Sequence, residues 1–427
     1  MFPSTVFASE IATREVLPNG LVLLQSEQHN LPIVMVTLAI KAGSLVEPAE
    51  KAGLANLTAS LLTEGTKTRT ASEISDEIEF VGGDLSSSGG SDYITVTLSI
   101  LKKDVDKGFE LLSDIVLNPA FSGDEIKRKK ALIKGTLKAE EEEPSIVASR
   151  AFKKAIFGDG PYGRPVKGFP ETIDRITRDD ILDFYSRFYA SNNAIMAVVG
   201  DLNRSELKAL MDKYFRGWKQ KDIKPVLYLQ PSEPTSPKLI KIDRDVTQAN
   251  IVLGHIGIKR DNPDFYAVSV MNYILGGGGF ASRLMTDIRE EKGLAYDVES
   301  FFLPQKETGG FEVVLQTRNE SANTAVEEVL KEVKGMMADP VSEKELGDAK
   351  SFLTGSFPLR IDTSRKIADF LAAVEYYGLG LDYVQRYPEY IREVTREDVL
   401  RVARKYLHPD RYILVVVANQ RKAGVKY

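Results

Sequence analysis

FPETIDRITRDDILDFYSRFYASNNAIMAVVG (169–200) and YPEYIREVTREDVLRVARKYLHPDRYILVVVA (387–418) align without a gap at an offset of 218 residues, with ten of the 32 pairs identical. Pro170/Pro388, Thr177/Thr395, Asp180/Asp398 and Leu182/Leu400 are among the identities. Each copy reads as a helix capped by a threonine, Thr177 or Thr395, with acids in its first turn, leading into an apolar strand. Upstream, 118–135 matches 339–355 at an offset near 220. A repeat of this length predicts two copies of one domain of about 200 residues.

Within the first copy, strands are predicted at 21–24, 33–40, 93–100 and 195–199, and helices at 50–62, 71–81, 104–117, 123–139 and 145–156. Strands interleaved with several helices, mostly in hairpin order, predict an α+β fold. The expected architecture is two tandem homologous α/β sandwich domains, each a mainly antiparallel sheet with helices packed on one face. Pro225, Pro231, Pro234 and Pro237 fall in a stretch without helical period, which reads as an extended linker. The domain boundaries that follow are 1–220, a linker at 221–238, and 239–427.

A net charge of −5 leaves no basic footprint for nucleic acid or anionic membrane. The absence of cysteine removes disulfides and thiolate ligands or nucleophiles. No run approaches the roughly 18 apolar residues of a membrane span. Val6-Phe7-Ala8 before Ser9-Glu10 has small or aliphatic residues where a signal-cleavage site wants them, after too short an apolar stretch. A secretory remnant, implying periplasm or cell envelope, and a plain N-terminal tail both stay open.

Residues 272–300 carry the densest local signal. Gly276, Gly277, Gly278 and Gly279 allow close approach to the main chain, and a helix is expected from Ser282, burying Leu284, Met285 and Ile288 and stopping at Lys292-Gly293. Leu294 to Phe302 then alternates like a strand, so Arg289 in the last helical turn and Tyr296, seven residues on, can point at one place. Either can equally be structural, an arginine complementing the helix dipole and a tyrosine in a core. A glycine loop before a helix can also cradle phosphate, but neither Gly-Lys-Ser/Thr nor a Gly-x-Gly-x-x-Gly fingerprint is present.

Lys51-Ala-Gly-Leu-Ala-Asn-Leu-Thr-Ala-Ser-Leu-Leu (51–62) reads as an amphipathic helix burying Leu54, Leu57 and Leu61. Its frame resembles the zinc helix of the inverted-zincin peptidases, the pitrilysin and mitochondrial-processing-peptidase family. There Gly-Leu-Ala precedes His-x-x-Glu-His, whose histidines bind zinc and whose glutamate is the general base. Those positions here are Asn56, Ala59 and Ser60, and the family's distal glutamate ligand, eight before Pro144, falls on Thr136. The chain's three histidines, His29, His255 and His408, lie on separate segments. The resemblance covers nearly the whole length: Asn19-Gly-Leu-Val-Leu, Gly43-Ser-Leu-Val-Glu, Gly65-Thr, Gly158 to Gly168 around Pro161-Tyr-Gly-Arg-Pro, and Gly276 to Tyr296.

In the family the Arg and Tyr of that last stretch come from the half lacking the zinc helix and reach the active chamber of the other half. The resemblance thus implies a non-catalytic subunit of a two-chain zinc metallopeptidase of bacterial type. Arg289 and Tyr296 would serve catalysis and Gly276–Gly279 peptide binding, with no metal or cofactor in this chain and zinc in a homologous partner subunit. Two alternatives stay open: a structural or assembly subunit with no part in proteolysis, and a homodimeric peptide-binding protein without hydrolysis.

Overall fold

The computed structural model describes residues 11–226, 228 and 230–426; the suspected cleavage remnant at residues 6–9 lies outside them. Eleven strands occur among these residues: β1 Thr13–Val16, β2 Val22–Glu27, β3 Ile33–Ile40, β4 Asp84–Ser88, β5 Ile94–Leu101, β6 Ala194–Gly200, β7 Lys238–Asp243, β8 Gln248–Ile256, β9 Ala295–Leu303, β10 Gly310–Arg318 and β11 Ile413–Ala418. They form two sheets, of order β1-β2-β6-β3-β5-β4 and β7-β11-β8-β10-β9. Apart from the added β1, the two orders are the same, each with one parallel pair, β2 with β6 and β7 with β11, in an otherwise antiparallel sheet. The repeat in the sequence is thus a repeat of topology. The helices Arg178–Phe188 and Arg396–Tyr406 begin and end 218 residues apart. Thr177 Oγ1 accepts from Asp180 N at 3.2 Å, and Thr395 Oγ1 from Asp398 N at 3.0 Å. From Lys219 to Pro237 the described residues form neither helix nor strand.

The chain separates into two compact units that do not simply follow its two halves. One is built from the chain up to Leu137, from Pro165 into the proline-rich segment, and from Pro358 to Arg386; the other takes Lys138–Arg164, Tyr228–Phe357 and the chain from Tyr387 onward. The reason is in the central strands. Every residue of β6 and of β11 is buried, and a strand with no polar side requires cover on both faces. In the first unit, Met196 and Val198 join the large core under the main helix layer. Ile195, Ala197 and Val199 point the other way and pack with Ile367, Ala368, Leu371 and Ala372 of the helix Ser364–Tyr377. In the second unit the helix Pro144–Phe157 packs on β8 and β11, with Phe152 filling the space that Gly254 leaves bare. These two helices are repeat equivalents, 220 residues apart. The helix layer expected on one face is present, and each sheet gains one further helix on the other.

His255 is enclosed on β8, where its Nδ1 lies 2.8 Å from the Ile256 carbonyl and the backbone N–H of His408 donates to Nε2 at 3.2 Å. That pattern fixes a neutral ring with its hydrogen on Nδ1. Burial, far more than nearby charge, brings its pKa from 6.5 down to about 3. Between those values the unfolded chain binds a proton that the folded chain does not, so stability is full above about pH 6.5 and falls as pH drops below it. The expected slope is up to ~1.4 kcal/mol per pH unit. Thermal melts of wild type between pH 7 and 5 should show this loss, and His255→Gln should flatten it. Parallel pH profiles for the two proteins would refute the assignment.

Candidate functional site

Residues 272–303 form one continuous construction. The expected helix is present: Ser282 Oγ receives Met285 N and donates to Gly279 O, and Gly293, at φ +60°, ends the helix as its Lys292 and Gly293 amides fold back onto Arg289 O. Leu284, Met285 and Ile288 are buried as their spacing predicts. Over Met285–Glu291 the helix is of the wide π type, a rare form that is frequent at functional sites.

The glycine run expected as a loop begins instead in a π-helical turn, Tyr273–Gly277, and is tightly packed there. A Cβ on Gly276 would lie 2.6 Å from Ser300 Oγ, one on Gly277 2.6 Å from Asn272 Nδ2, and one on Gly278 2.7 Å from Tyr273 O. Asn272 and Ser300 are themselves joined twice, Nδ2 to Ser300 O at 3.0 Å and Ser300 Oγ to Asn272 Oδ1 at 2.9 Å. Gly276 is buried, so the close approach it permits is to β9; Gly277 to Gly279 reach the surface. Gly279 has open space around it and φ +55°, and it turns the chain so that Phe280 follows it outward.

Arg289 and Tyr296 meet. The Arg289 guanidinium lies 5.1 Å from the centroid of the Tyr296 ring and 4.6 Å from that of Phe280. Tyr296 and Phe280 are 74% and 64% exposed. Aromatic faces hold a guanidinium through its flat sides and leave its N–H edge free. Neighbouring cations are engaged differently: Arg283 forms two hydrogen bonds with Glu345, at 2.6 and 3.2 Å, and Lys292 bonds Asp287 and Glu328. Burial pushes the Glu345 carboxyl up, but Arg283 and Ser342 more than reverse this and bring it to about 2. Among the described residues no carboxylate comes within ion-pair distance of Arg289.

Phe280 was not singled out from the sequence, although an aromatic residue directly after four glycines is its signal. A second unforeseen feature aims Tyr296. In the β9/β10 ladder Asp297 pairs with Gln316 and Ala295 with Thr317, so Tyr296 is an extra residue at a bulge. Tyr296 and Asp297 are therefore both exposed, where strict alternation would hide one of them.

The helix Leu54–Ser60 is held at its start by Glu47, whose two carboxylate oxygens accept from Gly53 N and Ala55 N at 2.9 Å each. Its side chains do not suit zinc. Ala59 has no donor atom, and the Ser60 and Thr136 hydroxyls bond back to Leu57 O and Leu132 O of their own helices. Asn56 is packed at its Cα against Gly89. Among the described residues no group of three His, Cys, Asp or Glu is placed to hold a metal ion.

Tandem α+β units, a degenerate metal helix and a glycine loop leading to a stacked Arg/Tyr pair define a class of protein. Comparison gives the family. The description "Insulinase (Peptidase family M16)" matches residues 22–168, and "Peptidase M16 inactive domain" matches residues 175–353. An uncharacterized zinc protease of Mycobacterium leprae is 30% identical over 92% of this chain and 89% of its own length. A protein of Helicobacter pylori described as a non-peptidase homolog is 26% identical over 97% of this chain and 96% of its own. The crystal structure of a peptidase M16 inactive domain from Pseudomonas fluorescens superposes with a TM-score of 0.88 at 30% identity, covering 95% of this chain and 98% of that one. The chain belongs to peptidase family M16.

The packing around Gly276 makes a direct prediction. Gly276→Ala should destabilise the protein by about 1–3 kcal/mol, because the added methyl must displace the β9 backbone at Ser300. Denaturant unfolding measures this, and a change within error of zero would show that the loop yields.

Proposed function

We propose that this chain is the non-catalytic subunit of a heterodimeric zinc metallopeptidase, binding substrate peptide and supplying Arg289 and Tyr296 to a site whose zinc and His-x-x-Glu-His belong to a homologous partner. The observation that carries the reading is the Arg289 guanidinium lying over the rings of both Phe280 and Tyr296 with no carboxylate partner among the described residues. A scaffold gains nothing from a half-buried cation that has no carboxylate partner among the described residues and lies over two exposed aromatic side chains. A peptidase gains a donor set. Negative charge develops on the carbonyl oxygen when a peptide is hydrolysed, and a phenol and a guanidinium aimed at that oxygen stabilise the transition state. Arg289 also has the fork to grip a carbonyl or carboxylate with two parallel hydrogen bonds. The main chain at Gly277–Gly279, exposed at Gly277 and half-buried beyond it, is the surface along which an extended peptide would run. The names of relatives, an inactive domain and a non-peptidase homolog, support the division of labour.

Purified chain should contain no stoichiometric zinc by elemental analysis, since Asn56, Ala59, Ser60 and Thr136 replace every expected ligand and base; about one zinc per chain that survives mild chelation would overturn the reading.

Activity should appear only on mixing with a zinc-bearing relative. In the mixed complex Tyr296→Phe should lower turnover by about 10²–10³, the usual effect of deleting one oxyanion donor, and Arg289→Ala should also raise KM. Steady-state kinetics with assembly checked by sizing is the measurement. Full activity from the double variant would leave an assembly role standing in place of the catalytic one.

A further inference from the structure

A cavity of about 290 Å³ opens between the first turns of the helix Pro144–Phe157 and the strands β8, β9 and β10, lined by Ser145, Ser149, Asn250, Asp297 and Gln316 with Val252 and Val314. Its volume sits near the floor of the range for small-molecule sites, about 300 Å³, which suits one long side chain better than a cofactor.

The lining is built in register. Gln316 pairs with Asn250 on one side and with Asp297 on the other, so two amides and a carboxylate stand in a row across three strands. Val314 in the next row pairs with Val252 and with Glu299, and Glu312 in the row after pairs with Gly254 and Phe301. Above them Ser145 and Ser149 are one helical turn apart, on one face of their helix.

These groups are poorly satisfied by the chain itself. Among the described residues the side chains of Ser145, Ser149, Asp297 and Gln316 make no hydrogen bond or ion pair. Asn250 is only 8% exposed, yet its one bond is a long contact from Nδ2 to Gln248 O at 3.4 Å, and its amide oxygen receives no donor. Ser145 and Asp297 are exposed and Ser149 and Gln316 half-buried, so these groups are open to a ligand and uncommitted within the chain, around the one buried amide of Asn250.

The charge on this sheet face names the class of ligand. Asp297, Glu299 and Glu312 face it from the strands, and Lys153, a further turn along the helix from Ser149, is the cation whose field reaches Glu312. Burial raises the Glu312 carboxyl while Lys153 opposes it, and burial with the neighbouring Asp297 raises Glu299. An added cation would relieve both. The amide and hydroxyl groups would serve an anion equally well, but the carboxylates would not.

We propose that this cavity is a specificity pocket for a basic residue, Lys or Arg, of the peptide held at Arg289 and Tyr296. Asp297 is its counter-ion, the Asn250 and Gln316 oxygens accept from its head, and Val252 and Val314 receive its methylene stem. Because Asp297 directly follows Tyr296, about 3.8 Å away along the main chain, the basic residue sits close to the carbonyl that Tyr296 would address. The inference rests on the peptide-binding reading above.

Fluorescence anisotropy on the full chain tests it with three labelled Ser/Ala peptides that differ at one central position, Arg, Gln or Glu. Wild type should bind the Arg peptide at least about tenfold more tightly than the Gln peptide, the scale of one hydrogen-bonded charge pair. Asp297→Asn should bring that ratio to about one, and Asp297→Arg should invert it in favour of the Glu peptide. Equal binding of all three by wild type, or a ratio unmoved in Asp297→Asn, overturns the pocket and leaves peptide binding intact. Failure of wild type to bind any of them overturns peptide binding itself, and the pocket with it.

Discussion

Two buried strands impose the architecture. β6 and β11 carry apolar side chains on both faces, and a sheet whose middle is apolar on both sides is stable only as the filling of a sandwich. The main helix layers supply one cover. The other comes in each unit from a single helix that belongs, by sequence, to the opposite copy of the repeat. Polar contacts fix that helix where it lies in the first unit: Arg14 makes two 2.9 Å bonds to Glu375, and Thr37 Oγ1 donates to Asp369 at 2.7 Å.

On this frame the functional candidates sit at an edge. β9 is the last strand of its sheet, and its bulge at Tyr296 turns two consecutive side chains outward, one toward the Arg289 stack and one into the polar cavity. The π-helix before it and the packed glycine loop set the angle from which Arg289 and Phe280 approach. Residues that look like a substrate loop in sequence thus do two physical tasks. Gly276 lets the loop press on β9, while Gly279, with its positive φ, delivers an aromatic ring to the guanidinium.

Much of this was legible in the residues alone. The 218-residue offset foretold two sheets of the same order, and the Thr177 and Thr395 caps fall where expected because capping is local chemistry within four residues. The helix end at Gly293 and the meeting of Arg289 with Tyr296 were also local. What escaped depends on partners distant in sequence. The bulge exists only in the register between β9 and β10, where Thr317 rather than Gln316 takes up Ala295. The row Asn250, Gln316 and Asp297 draws on three strands, and its serines come from the other half of the chain. The exchange of helices was hinted at only by the unbroken apolar runs of β6 and β11, which demand two covers without saying which helix provides them.

That exchange has a consequence for how the protein is made. The first sheet is fully translated once β6 leaves the ribosome, yet its second cover, Ser364–Tyr377, is encoded far downstream. At synthesis rates of about 5–20 residues per second the delay is on the order of ten seconds. During that interval the nascent chain presents Ile195, Ala197 and Val199 on an open apolar face, so the growing polypeptide depends on whatever shields such surfaces until its own later helix arrives.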